Sequence, residues 1–215
     1  MLAVAGVAVL AGCGGGTRQD AHEPDATFPV AVLHASFTPV QPIGGTGRLV
    51  LTIRNTGTQT IPNLAVTVEG LNYRSTQPGL ADPERPLFVV DHGPGPVSQV
   101  PVQGTGALSE GGDITVYTNT WASGPLASGR TSTFVWVVTP VLAGRHQVTW
   151  TVAAGLNGKA KARLSDGSVP TGHFVVYTVA TPAPTHVDPT TGQVVAGPAP
   201  NATGVAARNY QRAVR

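Results

Sequence analysis

The clearest signal along the chain is strict alternation of apolar and polar positions, the two-residue period of a half-buried strand. In "RLVLTIRN", Leu49, Leu51 and Ile53 fall on one face and Arg48, Thr52 and Arg54 on the other. "NLAVTVEG" sets Leu64, Val66 and Val68 against Ala65, Thr67 and Glu69. "DITVYTN" sets Ile114 and Val116 against Thr115 and Tyr117, and "HQVTWTV" sets Val148, Trp150 and Val152 against Gln147, Thr149 and Thr151. "STFVWVVTP" and "GHFVVYTVA" are apolar on both faces, which suits strands covered on both sides. An opening strand from about Pro29 to Thr38 completes a set of seven. Turn residues separate these runs, and no window carries apolar residues at helical spacing. The pattern predicts an all-β fold, an immunoglobulin-like antiparallel β-sandwich of about seven strands with a long insertion and flexible termini. It also predicts that Trp136 and Trp150 lie between the two sheets.

Composition supports this picture and narrows it. The 27 glycines and 19 prolines imply many turns, and charged residues are only 11% of the chain. A formal net charge of +2, with no basic helix and no interleaving of aromatic and basic residues, argues against nucleic-acid binding. The chain divides by composition into an apolar start (1–12), a Gly-rich then charged tether (13–27), the sandwich (28–181) with its insertion (70–113), and a Pro/Thr/Ala/Gly-rich tail (182–215). The tail ends in the basic string "AARNYQRAVR".

Cys13 is the sole cysteine, so no disulfide within the chain is available. The uncharged run Leu2–Leu10 is too short to span a bilayer, which takes about 20 apolar residues, but it has the length of a signal-peptide core. It ends in Leu10-Ala11-Gly12-Cys13, followed by three glycines. That string resembles the bacterial lipobox. The resemblance implies cleavage before Cys13, lipidation of its thiol, and a protein anchored to the cell membrane on its extracytoplasmic face. No Lys or Arg precedes the run, a departure from the usual leader.

A second resemblance rests on turns. Asn55-Thr56-Gly57 joins two strands, Leu126 and Gly129 precede a third, and Ala143-Gly144 precedes a fourth. This order is similar to that of CARDB-type immunoglobulin-like modules of microbial surface proteins. The resemblance implies adhesion, spacing or assembly at the cell surface, without catalytic residues. The 70–113 insertion and an excursion over 155–171 depart from the usual module. Within the N-T-G turn, Gly57 is expected at positive φ.

Candidate contact residues fall in two places. The insertion carries Tyr73, Arg74, Arg85 and Phe88, and "LFVV" is expected to pair with "VSQVPV" as an edge hairpin. The segment "NGKAKARLSDG" has a hairpin signal at Asn157-Gly158. It also puts Lys159, Lys161 and Arg163 on one face if extended. No acid lies between Ile114 and Ser165, while Arg130 and Arg145 add charge. Such a stripe suits anionic headgroups or an anionic cell-wall polymer, although a solvated outer face is the plainer reading.

Chemistry beyond contact finds little support. The histidines at 22, 34, 92, 146, 173 and 186 repeat at no metal-ligand spacing. His146 and His173 are expected about a strand length apart, ~25 Å. No metal or cofactor is expected, and no hydrolase or phosphate-loop motif occurs. The reading is a lipid-anchored envelope protein with a non-catalytic domain for binding, adhesion or support. Its partners are the membrane and an envelope protein or anionic wall polymer. The alternative is an envelope hydrolase or enzyme subunit with a site in the insertion, near Asp82, Glu84, Asp91 or His92.

Overall fold

The computed structural model describes residues 22–94, 119–182 and 184–197. Among these residues there is no helix, and fourteen strands appear: β1 (Ala26–Phe37), β2 (Val40–Pro42), β3 (Gly47–Asn55), β4 (Ala65–Glu69), β5 (Asn72–Arg74), β6 (Glu84–Pro86), β7 (Phe88–His92), β8 (Thr120–Ala122), β9 (Thr131–Pro140), β10 (Gly144–Ala153), β11 (Ala160–Arg163), β12 (Thr171–Val179), β13 (Thr185–Val187) and β14 (Val194–Ala196). Ten of them build a sandwich of two five-stranded sheets. Sheet A has the order β11-β1-β3-β9-β7, and sheet B the order β2-β12-β10-β4-β8. β5 with β6, and β13 with β14, form two separate two-stranded ribbons.

The alternation read from the sequence is the alternation of burial. Leu49, Leu51 and Ile53 are fully buried, as are Val66, Val68, Val138 and Val148, while Arg48 and Arg54 face outward. Burying one such side chain contributes about 1.5–3 kcal/mol. The three on β3 together therefore rival the net stability of a whole domain. A one-residue slip would turn all three to solvent, so the register is strongly held. β9 lies between β3 and β7, and its outward Val135 and Val137 are half-buried, as suits an inner strand. Trp136 and Trp150 are 1% and 7% exposed. Trp136 meets Trp121 edge-on with ring centroids 5.4 Å apart and stacks beside Phe134 at 5.9 Å.

Several local expectations are corrected. The first strand begins at Ala26, ahead of Pro29, and gains a parallel partner, β11. After Phe37 the chain crosses from sheet A to sheet B, where β2 runs parallel to β12. The Asn157-Gly158 turn forms, with Gly158 at φ 84°, but it makes no hairpin. β11 leaves β10 and joins the other sheet, because the small side chains of Ala160 and Ala162 fit under β1 at 1% and 2% exposure.

The histidine pair is also closer than expected. His146 pairs with Val176 and His173 with Thr149, so the two sit three pairs apart in the ladder, roughly 10 Å. Both lie two pairs inside the ends of a short ladder, which brings them inward. They face opposite sides of the sheet. Of the insertion, β7 pairs with β9 at the edge of sheet A. The segment 97–102, its expected partner, lies outside the described residues, as does the expected strand over 113–118.

Candidate functional site

The site is built at the end of the sandwich where β1 starts and β3 finishes. Asn55 is the last residue of β3 and continues its inward-facing series, so the alternation drives a polar side chain to 0% exposure. Its Oδ1 accepts from the Gly57 amide at 3.0 Å, and its Nδ2 donates to the carbonyls of Gln59 at 2.8 Å and Leu126 at 2.9 Å. The Asn55 main chain joins in, donating to the Arg130 carbonyl and accepting from the Gly129 amide, each at 3.0 Å. Ile61 and Leu126 then exchange two main-chain bonds. Gly129, at φ 71°, lets the second loop bend back to make these contacts. The N-T-G turn and the L-x-x-G corner are thus one unit held by Asn55.

Gly57 does not have the expected positive φ. It is needed for space instead: a Cβ there would stand 2.9 Å from Cδ of Pro29. The Asn55 side chain does the turning, in the manner of an Asx-turn, so the backbone at Gly57 need not.

A second buried polar group closes the same end. Glu23 is 9% exposed. Its Oε2 accepts from the amides of Leu156 at 2.7 Å and Asn157 at 2.8 Å, and its Oε1 from Ala160 at 2.6 Å. Three donors on one carboxylate hold the turn between β10 and β11 and fix where the chain enters the fold. Gly155 is required here, because a Cβ would run into the Glu23 carboxyl. Two residues on, the Asp25 carboxylate lies 4.0 Å from Lys161 Nζ.

Around this entry point the outward positions of sheet A are cationic. Lys161 stands beside Thr27 and Arg163 beside Pro29. Arg54 lies between Ala31 and Thr131, and Arg48, at the far end of β3, lies beside Val137. β1, β3, β9 and β11 contain no Asp or Glu, and the acid of the fifth strand, Asp91 on β7, is engaged by the Thr139 hydroxyl. Thr52 and Thr133 join hydroxyls at 3.1 Å across the middle of the face. A shallow cleft of about 340 Å³ opens at this end, lined by Thr27, Phe28, Pro29, Gly57, Thr58 and Gln59.

The basic stripe read from the sequence therefore divides. Lys161 and Arg163 share a face, Lys159 is exposed in the turn before them, and Arg130 lies at the same end just ahead of β9. Arg145 sits at the far end of β10, on sheet B beside Tyr177. Arg48 and Arg54 were absent from the expected stripe. Alternation had turned them outward, but only the pairing of β1 with both β3 and β11 sets Arg54 near Arg163, with Arg48 at the other end of the same face.

The insertion residues are not gathered into one site. Tyr73 and Arg85 are cross-strand partners on the β5–β6 ribbon, as are Arg74 and Glu84, whose charged groups lie 3.6 Å apart. Arg85 donates to the carbonyls of Asp82 and Glu84. Tyr73 is 40% exposed, whereas Phe88 is 2% exposed and belongs to the core. Phe88 packs on Phe37 and against the His146 ring, with centroids 5.5 Å and 5.6 Å away. The carboxylates are engaged locally: Asp82 accepts from the Glu84 amide at 2.9 Å, and Asp91 from the Thr139 hydroxyl at 2.7 Å. His146 donates to the Leu142 carbonyl. Among the described residues no three His, Cys, Asp or Glu side chains are grouped to hold a metal ion. In the turn between β11 and β12, the Ser168 hydroxyl and then its amide hold the Asp166 carboxyl below the usual carboxylate range.

No protein-family model matches the chain, and no curated protein matches it. Among solved structures it is similar to the CARDB domain of the PF1109 protein from Pyrococcus furiosus, solved in complex with di-metal ions: 13% identity, 71% of this chain and 86% of that chain covered, TM-score 0.34. It is similar to native alpha-2-macroglobulin from Escherichia coli at 17% identity, covering 77% of this chain and 21% of that chain, TM-score 0.38. The ASH/PapD-like domain of human CEP192 matches at 14% identity over 84% of this chain and all of that chain, TM-score 0.37. At these identities and scores the fold rests on the strand order and register given above, and on nothing borrowed from these proteins.

Proposed function

We propose that the chain is a lipid-anchored envelope protein, held through Cys13 on the extracytoplasmic face of the cell membrane. Its β-sandwich serves there as a non-catalytic module for binding or support. The observation that supports this over a hydrolase is how the acidic groups of the insertion that lie among the described residues are used. Asp82 caps a turn, Glu84 pairs with Arg74, and Asp91 binds Thr139. Each is engaged by its neighbours, Asp82 and Glu84 at the β5–β6 ribbon and Asp91 on β7 against β9. The exposed ribbon bearing Tyr73, Arg74 and Arg85 is the surface proposed for contact with an envelope protein.

The test is fractionation of cells expressing the wild type or Cys13→Ser, with the membranes washed in 1 M NaCl to strip charge-held protein. The wild type is expected to stay with the washed membranes and Cys13→Ser to be released. Equal retention of both after the wash would overturn the anchor.

A further inference from the structure

We infer that the outer face of sheet A docks on anionic lipid headgroups, with Arg48, Arg54 and Arg163 as its principal contacts and Lys161 at its margin. The inference rests on the proposed membrane location. It specifies how the domain would lie there, which the anchor alone does not.

The first argument is the sign and layout of charge. The four cations stand on outward positions of β11 and β3, the two strands that flank β1 in sheet A. From strand spacing, Arg163 and Arg54 are roughly 12 Å apart across β1, and Arg54 and Arg48 roughly 20 Å apart along β3. Among the described residues, Arg48 and Arg54 have no carboxylate partner, and Arg163 is bonded only to the Ala162 carbonyl. Lys161 is partly offset by Asp25 at 4.0 Å. A sheet face with cations at this spacing suits a plane of mobile anions, where each charge finds its own headgroup. The Debye length is about 8 Å at physiological salt, so the cations repel one another weakly while each is drawn to the surface.

The second argument is where the chain enters. The three amides on Glu23 fix the entry point at the β1–β11 edge, the edge that carries Lys161 and Arg163. Nine residues separate Cys13 from Glu23, ten steps along the chain. Fully extended they span at most about 35 Å. A lipid on Cys13 would therefore hold the basic edge within about 35 Å of the bilayer, within reach of contact, and the charges of the face then set how the domain lies on it. The continuity of entry point and basic face favours a lipid surface over a distant wall polymer.

The experiment uses the full chain carrying Cys13→Ser, so that no lipid contributes. It is sedimented with vesicles of phosphatidylglycerol and phosphatidylcholine, or of phosphatidylcholine alone, over a NaCl series. The neutral vesicles measure any pull from the apolar run Leu2–Leu10. Binding is expected to prefer the anionic vesicles and to vanish near 1 M salt. Each surface cation contributes on the order of fivefold, so Arg48→Gln, Arg54→Gln and Arg163→Gln combined should weaken anionic binding about a hundredfold. The matching triple Lys variant should retain it, and Arg145→Gln, on the other sheet, should change it little. A thermal melt of each variant shows that the fold is intact.

Equal binding to both vesicle types, a triple Gln variant that binds like its parent, or loss of binding in Arg145→Gln alone would overturn the proposal. Binding to a purified anionic wall polymer but not to anionic vesicles would overturn it too. The anchor is tested separately by the salt-washed membranes, so either reading can fail while the other stands.

Discussion

Replacing Asn55 separates shape from hydrogen bonding at the corner that joins the two turn motifs. The side chain is fully buried and makes three bonds, one accepted and two donated. Asn55→Ala removes all three. The Leu126 carbonyl keeps the Ile61 amide as a partner, whereas the Gly57 amide and Gln59 carbonyl are left to whatever water reaches them. At about 1 kcal/mol net for each bond, with a small cavity added, the loss should be about 3 kcal/mol. Asn55→Asp preserves the shape and the bond to Gly57, but it sets an oxygen against two carbonyl oxygens and buries a charge. That change should cost about 4 kcal/mol or more at neutral pH. Burial and the two carbonyls would raise the pKa of the introduced carboxyl above its unfolded value, so the native state of this variant binds more protons. Its deficit should shrink as pH falls and be full above the raised folded value. Urea unfolding followed by tryptophan emission at pH 7 and pH 4.5 measures all three proteins. An Asn55→Asp variant as stable as the wild type at pH 7, or more stable than Asn55→Ala, would refute the bonding scheme.

Three further outcomes are expected. Glu23→Gln keeps one acceptor but faces an amide N–H₂ toward a backbone donor, so it should lower stability by about 2–4 kcal/mol. Amide exchange at Leu156, Asn157 and Ala160 should quicken, and unchanged protection there would contradict the clamp. Gly57→Ala should cost about 1–3 kcal/mol through overpacking on Pro29, and adding Pro29→Ala should relieve most of that. A penalty unmoved by the second substitution would point to backbone strain instead. For Asp166, whose folded pKa is depressed first by the Ser168 hydroxyl and then by its amide, the stabilising effect is full above the unfolded carboxylate value and lost as pH falls through the lower folded one. Ser168→Ala should return the Asp166 titration, followed by carboxyl-carbon NMR, toward the ordinary range.

What could be read from the sequence is what local pattern controls. Leu49, Leu51 and Ile53 announce their own face, and Phe134, Trp136 and Val138 do the same on β9, because burial alternates with the pleat. What could not be read depends on partners far along the chain. Glu23 lies in a stretch that reads as a charged tether, and its three amides are more than 130 positions away. Nothing near it marks a carboxylate that will cap a turn. β11 is only four residues long, and "AKAR" carries no apolar side chain larger than alanine, so its sheet and its parallel sense are decided by the space under β1. Phe88 was legible as exposed or buried only once β7 was placed on β9. The Gly57 expectation failed for a different reason: it assigned the turn to the glycine backbone when the neighbouring asparagine side chain makes it.

These displaced details share one location, and that bears on function. Asn55 ties the end of β3 to the loop before β9, and Glu23 ties the chain entry to the turn before β11, so both fastenings lie at the end where Lys161, Arg163 and Arg54 face outward. The far end is built otherwise. There Val40 and Tyr177, on paired strands, and Val141 and Leu142, in a turn, are between 38% and 51% exposed. Charges used for orientation must hold their spacing when they meet a surface, since a cation on a yielding loop gives attraction without direction. Here Lys161, Arg163 and Arg54 stand on paired strands whose corner is locked by two buried polar groups, and β3 holds Arg48 in line with them along the face. Loosening the corner with Asn55→Ala should therefore leave the cations in place by composition while blurring their layout. The expected result is weaker discrimination between anionic and neutral vesicles at unchanged net charge, which separates a geometric role of the face from a purely electrostatic one.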